Sequence, residues 1–349
     1  MEREDIRIVC FGSGDFPVET FEFLVKHYSV VGFVTSKDKP IFGVKRVYDI
    51  AKEYGIPVCI PDNLESDDFL NWLDKVDGNV YCVISYKFLP RCVVKKAKYA
   101  FNVHASLLPL LRGAAPINWA LRYGFERTGL SAIKLADKID TGGIVANYGV
   151  DINEDDNYET LFKRMADLCI MLASEMIERI VDDVFCVNVE QPHIPKEMDN
   201  EIFHAPKLTS ENTTFSYYDK ADFTVKELYN TVRSLAPNIG TTFNMTIRKW
   251  VKDDTDEWGG EFDDVRNLSF KVYDAEIVNK GCGWIDEHYN GSDIITDWKN
   301  YFYLLSHCVE GDVLSVKKIQ IPGKKILDIK DFLKGFQVYN KPEYNFFLN

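Results

Sequence analysis

The sequence has no run of about 18 consecutive apolar residues, the length a helix needs to cross a bilayer, so no membrane partner is expected. Its opening residues, Met1-Glu2-Arg3-Glu4-Asp5, are charged and lead straight into an apolar strand pattern. An apolar signal-peptide core is missing there, and a cytoplasmic protein is expected. Positive charge is scarce. The formal net charge of −13 argues against a general nucleic-acid binder and against DNA as a partner. Any RNA contact must then be local and salt-sensitive. None of the eight cysteines, Cys10, Cys59, Cys82, Cys92, Cys169, Cys186, Cys282 and Cys308, forms a C-x-x-C pair. Most fall in apolar strand or helix patterns, so reduced, buried thiols and no metal site are expected. Two further signatures are incomplete. Gly12-Ser13-Gly14-Asp15-Phe16 follows the first strand pattern, but Pro17 stands where a dinucleotide fingerprint needs its third glycine. Ser106 has no G-x-S-x-G context, which removes a nucleophile elbow.

With 46% hydrophobic and 27% charged residues over 349 positions, the chain can bury a full core, and two domains are expected. Apolar runs at Ile6–Phe11, Val30–Thr35, Ile56–Ile60, Val80–Ile84 and Tyr99–His104 alternate with helical patterns. That order predicts an α/β fold with a mainly parallel, doubly wound sheet. The longest helix is predicted over Asp156–Ile180, with Leu161, Met165, Leu168, Leu172 and Met176 as its apolar stripe. The alternation stops near Asp183, and Gln191-Pro192-His193-Ile194-Pro195 and Ala205-Pro206 mark a linker. The expected division is a catalytic domain over 1–186, a linker over 187–208 and a second domain over 209–349. In the last part a helix (Val225–Leu235) precedes short strand patterns at Thr241–Ile247, Phe270–Val278, Tyr301–Ser306 and Val313–Ile321, which suggests a small β-barrel. The acidic stretch Asp253–Asp264 reads as a solvated loop.

One stretch organises the rest: Phe101-Asn102-Val103-His104-Ala105-Ser106-Leu107-Leu108-Pro109, continuing through Arg112-Gly113-Ala114-Ala115-Pro116. Residues two apart in a strand share a face, so Asn102 and His104 project together. A Pro- and Gly-rich turn follows at the carboxyl end of the strand, where ligands of open α/β sheets bind. Asp140 lies in a second polar, Gly-rich loop, Asp137-Lys138-Ile139-Asp140-Thr141-Gly142-Gly143. Amide and imidazole donors suit a developing oxyanion, and a carboxylate can pair with the imidazole or relay a proton through a water. Such a trio fits direct transfer of an activated one-carbon acyl group to an amine. A histidine satisfied within the core is the alternative meaning of the same spacing.

Asn102-Val103-His104-Ala105-Ser106-Leu107-Leu108-Pro109, Arg112-Gly113-Ala114-Ala115-Pro116-Ile117 and Asp140-Thr141-Gly142 together resemble the signature of the 10-formyltetrahydrofolate-dependent formyltransferases, and the Arg-Gly-Ala-Ala-Pro run resembles the tRNA-formylating branch and its sugar-modifying relatives. The resemblance extends over nearly the whole chain, with Ala205-Pro206-Lys207-Leu208 and Ile321-Pro322-Gly323-Lys324-Lys325 as later landmarks. It implies a Rossmann-like catalytic domain followed by an OB-like barrel. It also implies 10-formyltetrahydrofolate as formyl-donor co-substrate without a metal, initiator methionyl-tRNA as acceptor, and a monomer. Asn102 and His104 would hold the tetrahedral oxyanion, and Asp140 would orient His104 and move the proton. Ser106, Leu107, Leu108 and Pro109 would line the folate site, together with Tyr86, Lys87, Phe88 and Leu89. In the family the loop after the second strand reads the acceptor end. Here that loop is Ser36–Arg46, and Lys37, Lys39, Lys45 and Arg46 are its candidate phosphate contacts. Lys317, Lys318, Lys324 and Lys325 could steer an RNA backbone from the second domain. An amino-sugar nucleotide acceptor is the alternative within the same chemistry, a folate hydrolase is a third, and a non-catalytic binding protein would require a broken trio.

Overall fold

The structure, a computed structural model, describes residues 2–36, 41–195, 200–216, 223–252, 260–289, 292–306, 311–341 and 344–348. Two compact units emerge: Met1–Ala120, Glu126–Asn153 and Thr160–Lys207 form one, and Leu121–Phe125, Glu154–Glu159 and Leu208–Asn349 form the other.

In the first unit the chain runs β1 (Ile8–Gly12), α1 (Val18–His27), β2 (Val30–Val34), α2 (Ile41–Tyr54), β3 (Val58–Cys59), α3 (Asp67–Val76), β4 (Val80–Ile84), α4 (Arg91–Val94) and β5 (Tyr99–His104). It continues through β6 (Arg112–Gly113), α5 (Pro116–Arg122), β7 (Arg127–Lys134), β8 (Ile144–Asp151), α6 (Tyr158–Val181) and β9 (His204–Ala205). The main sheet has the order β3-β2-β1-β4-β5-β7-β8. Its first five members pair in parallel, and β7 and β8 return antiparallel. Every residue of β1 and β4 is buried, as expected for strands covered on both faces. Phe11 and Phe101 are each 0% exposed, and truncating such a core ring typically costs about 3–5 kcal/mol. The parallel strands end on one rim, at Gly12, Val34, Ile84 and His104, and the crevice of an open α/β sheet opens there.

Helix termini follow local chemistry. Ser66 caps α3 by accepting from the Phe69 N–H, Asp67 and Asp68 occupy its first turn, and Asp77 closes it in the left-handed region. On α6 the buried stripe runs through Leu161, Met165, Cys169, Leu172 and Met176, while Leu168 is only half-buried. Two expectations are corrected here. Residues 41–46, expected in a loop, begin α2, because the apolar spacing that buries Val47, Ile50 and Ala51 continues toward the N-terminus with helical period. The thiols also divide more evenly than expected: Cys10, Cys82 and Cys169 are buried, Cys59 is half-buried, and Cys92, Cys186 and Cys282 are exposed, with Cys308 outside the described residues. Burial pushes the Cys10, Cys82 and Cys169 thiols up and leaves them inert.

The second unit contains β10 (Thr214–Phe215), α7 (Val225–Leu235), β11 (Thr241–Lys252), β12 (Gly260–Asn279), α8 (Cys282–His288), β13 (Ile294–Thr296), β14 (Phe302–Leu304), β15 (Asp312–Gln320), β16 (Leu327–Asp328), α9 (Ile329–Phe336) and β17 (Tyr344–Leu348). Its sheet has the order β10-β11-β12-β15-β14-β13, with β16 on β15 and β17 on β11, and only the β10–β11 pairing is parallel. Thr224 and Glu227 form a reciprocal capping box at the start of α7. The core is built on aromatic rings, with Phe243 stacked on Phe270 at 5.5 Å and Phe302 edge-on to Phe270 at 6.0 Å. The acidic stretch is only partly a loop. Residues 260–264 belong to β12 and pair with β11, for example Asp264 with Arg248, and residues 253–259 lie outside the described residues.

Candidate active site

At the end of β5 the alternation does what its period requires. Phe101 and Val103 are buried on one face, and Asn102 and His104 lie on the other. On the neighbouring β7, His104 is opposite Ser131, whose hydroxyl donates to the Ser106 carbonyl at 2.8 Å and accepts the Leu108 N–H at 3.0 Å. That pins the turn after the strand. His104 Nε2 lies 2.8 Å from the Leu111 carbonyl oxygen. A carbonyl only accepts, so Nε2 carries a hydrogen, and Nδ1 is the nitrogen left for chemistry. Nδ1 faces Asp140 Oδ2 at 3.4 Å, with both side chains nearly buried.

The carboxylate of Asp140 is the hub. It accepts from Asn102 Nδ2 at 3.4 Å and from the Gly113 N–H at 3.0 Å. The two 3.4 Å contacts are at the long end of the range, and the backbone N–H is the firm one. Asp140 has a φ of 54°, an uncommon backbone for an L residue that persists when its surroundings fix it. Two motif glycines have steric reasons. A Cβ on Gly113 would stand 2.6 Å from the Ala205 carbonyl oxygen, and one on Gly142 would stand 1.8 Å from that of Lys134. A side chain at either position would push the polar loop or its brace away from the strand ends.

Beside the trio lies a narrow, open cleft. It is lined by Val83 and Tyr86 to Leu89, by residues 133–136 with Lys138 and Ile139, and by Asn102, Asp140 and Gly142. Phe88 and Ile139 are well exposed at 44% and 60%, and Lys87 and Lys138 are exposed beside them, so the lining joins apolar groups to positive charge. The structure therefore brings Asn102, Asp140 and Tyr86 to Leu89 together, with His104 one layer back against Asp140. Ser106 to Pro109 are not among the lining residues. Ser106 is 0% exposed and donates its hydroxyl to the Leu110 carbonyl at 2.6 Å, so that hydroxyl is spent within the turn.

Of the four expected phosphate contacts, Lys37 and Lys39 lie outside the described residues, and Lys45 is exposed on α2. Arg46 is not a free loop cation. It donates to Glu19 at 2.5 and 3.0 Å and to Glu22 at 2.8 Å. Hydrogen bonds from Lys26 and then Arg46 hold the Glu22 carboxyl below its usual range. Gln191, expected only as linker, instead contacts the Asp140 loop: its Nε2 donates to the carbonyls of Asp140 and Gly142, both at 2.8 Å. Nothing in local periodicity marks that residue. Among the described residues, no cluster of three His, Cys, Asp or Glu side chains could hold a metal ion, and no helix is long and apolar enough to cross a membrane.

Comparison with known proteins adds the following. A family profile described as Formyl transferase matches residues 7–177. A methionyl-tRNA formyltransferase of Parabacteroides distasonis is 30% identical over 345 residues, which cover 97% of this chain and 98% of the relative. One of Bacteroides fragilis is 31% identical over 348 residues, 97% of each chain. Among solved structures, the sugar 3N-formyl transferase WlaRD, crystallised in the presence of dTDP and 5-N-formyl-THF, superposes with a TM-score of 0.57 over 92% of this chain and 99% of its own, at 14% identity. That last likeness is one of fold.

Proposed function

The chain belongs to the methionyl-tRNA formyltransferase family, and from that premise we propose that it transfers the formyl group of 10-formyltetrahydrofolate to the α-amino group of methionyl-initiator-tRNA. The observation that carries the proposal is the meeting of Asn102, His104 and Asp140 beside a cleft at the carboxyl rim of the sheet. The folate occupies that cleft along Tyr86 to Leu89, and Ser106 to Pro109 hold its floor in place. The acceptor amine attacks the formyl carbon, and a C–N bond forms while the carbonyl oxygen gathers negative charge. Asn102 Nδ2 supplies a donor to that oxygen, and His104 Nδ1 does so when the imidazole carries a second proton. Asp140 takes a proton from the attacking nitrogen and delivers one, directly or through a water, to the folate nitrogen as its bond to the formyl carbon breaks. The scheme needs no metal.

We further assign residues 1–186 to catalysis, 187–208 to a linker and 209–349 to an OB-like RNA-binding domain. Lys37, Lys39 and Lys45 are the candidate acceptor-end contacts after β2, while Arg46 is committed to Glu19 and Glu22. Lys317, Lys318, Lys324 and Lys325 are the candidate RNA-backbone contacts of the second domain. The working enzyme is a cytoplasmic monomer. A formyl-transfer assay with 10-formyltetrahydrofolate, offering charged initiator tRNA, charged elongator tRNA and an amino-sugar nucleotide side by side, tests the proposal. Product on the initiator tRNA supports it, and product on the sugar nucleotide alone overturns it.

A further inference from the structure

Gln191 reaches back from the segment after α6 to the loop that carries Asp140. Both hydrogens of its side-chain amide are spent, on the Asp140 and Gly142 carbonyls at 2.8 Å each. Its Oε1 accepts from Arg112, Nε at 3.2 Å and Nη2 at 2.6 Å. A guanidinium only donates and a backbone carbonyl only accepts, so the amide has a single orientation. The segment itself is anchored, because Val189 and Ile144 exchange two backbone hydrogen bonds of 2.8 Å at the start of β8. Arg112 is followed by Gly113, the donor to the Asp140 carboxylate, and these two residues pair with His204 and Ala205. Asp140 is thus held twice: Gln191 grips its carbonyl and Gly113 its carboxylate, with Arg112 joining the two grips.

The grip has something to resist. Asp140 occupies left-handed backbone, which an L residue keeps only where neighbours enforce it. Freed from Gln191, the peptide groups that follow Asp140 and Gly142 can rotate toward ordinary conformations, and the carboxylate moves with them. Small displacements of a reacting group are costly in rate even when binding is untouched. We propose that Gln191, oriented by Arg112, is a positioning residue for formyl transfer: it fixes the backbone of Asp140 so that the carboxylate stays between Asn102, His104 and the Gly113 N–H. The inference rests on the function proposed above.

The test is Gln191→Glu, which preserves size and the Arg112 contact but replaces the NH2 group, and so both N–H donors, with one oxygen facing two carbonyls. Expected are a fall in kcat of about 10- to 100-fold, the range typical of residues that orient a reacting group, and an acceptor KM within about twofold of wild type. On an Asp140→Asn background the same change is expected to add less than about twofold, since a residue acting through Asp140 has nothing left to position. A kcat within about twofold of wild type, or the full loss repeated on the Asp140→Asn background, overturns the role. If Gln191→Glu does not yield folded protein, Arg112→Lys, which keeps the charge but loses the fork, should show the same kcat-only, Asp140-dependent pattern at smaller amplitude. Unchanged kcat in that variant overturns the role equally. Amide hydrogen exchange over residues 137–143 reads the clamp without substrate. Faster exchange in the variant is expected, and unchanged exchange overturns the clamp. An inactive wild type whose loop still loosens in Gln191→Glu would overturn the proposed function and not the clamp.

Discussion

Two segments leave the same rim of the same sheet and are held in different ways. After β5, residues 104–116 are fixed by groups with little freedom: a carbonyl on the His104 ring, the Ser131 hydroxyl on two backbone groups, and the Gly113 N–H on Asp140. After β2 comes α2, from which Arg46 makes ion pairs with Glu19 and Glu22 at the surface. Exposed ion pairs of that kind typically contribute about 0–1 kcal/mol and weaken with salt. The first segment is built to place atoms and the second to present charge. Substitutions should therefore act on turnover in one and on salt-dependent affinity in the other.

The largest effect is expected from His104→Ala. It should lower kcat by about 10²–10³ while thermal unfolding shows an intact fold, as for other losses of one oxyanion donor. Turnover near wild type would place the 104–116 segment on the same footing as α2. Next comes Gly142→Ala, whose new Cβ would meet the Lys134 carbonyl oxygen at 1.8 Å and must displace backbone. It should cost about 1–3 kcal/mol of stability and about 10²-fold in kcat. Gly283→Ala is the control, since nothing lies within 4 Å of its added Cβ. Equal unfolding midpoints for the two variants would dissolve the steric account. Lys45→Ala should leave kcat alone and reduce the slope of log affinity for charged tRNA against log salt by about 1, the signature of one lost phosphate contact. An unchanged salt slope would take Lys45 out of the acceptor site. The smallest effect belongs to Arg46→Ala, with at most about 1 kcal/mol of stability lost and a salt slope like that of wild type. A slope change as large as that of Lys45→Ala would mean that Arg46 leaves its carboxylates to meet RNA.

The sequence conveyed structure well where local rules are strong. The apolar runs of β1 and β4 and the period-two pattern of β5 gave strands in place, and the helix read over Val225–Leu235 has those bounds in α7. Asn102, His104 and Asp140 were legible because a strand fixes which side chains share a face and a Gly-rich loop signals close approach. Four things were not. The basic residues of 41–46 suggested a loop, although the spacing of Val47, Ile50 and Ala51 already implied a helix reaching back. The elements α8, β13 and β17 are short and show neither periodicity clearly, whereas α9 went unread although Ile329, Phe332, Leu333 and Phe336 repeat at helical spacing. The inward turn of Ser106 depends on Leu110, and the role of Gln191 on partners 51 and 79 residues away, which no local window contains.

The hydrogen bond from position 113 to the Asp140 carboxylate comes from main chain. Exchanging the side chain there leaves the donor in place, and only proline would remove it. Yet Gly113 has a φ of 125° and an oxygen where any Cβ would go, so substitutions fail by shape while the chemistry they threaten is still present. A survey of variants at this position would thus measure how far a peptide plane can tilt before a carboxylate loses its partner.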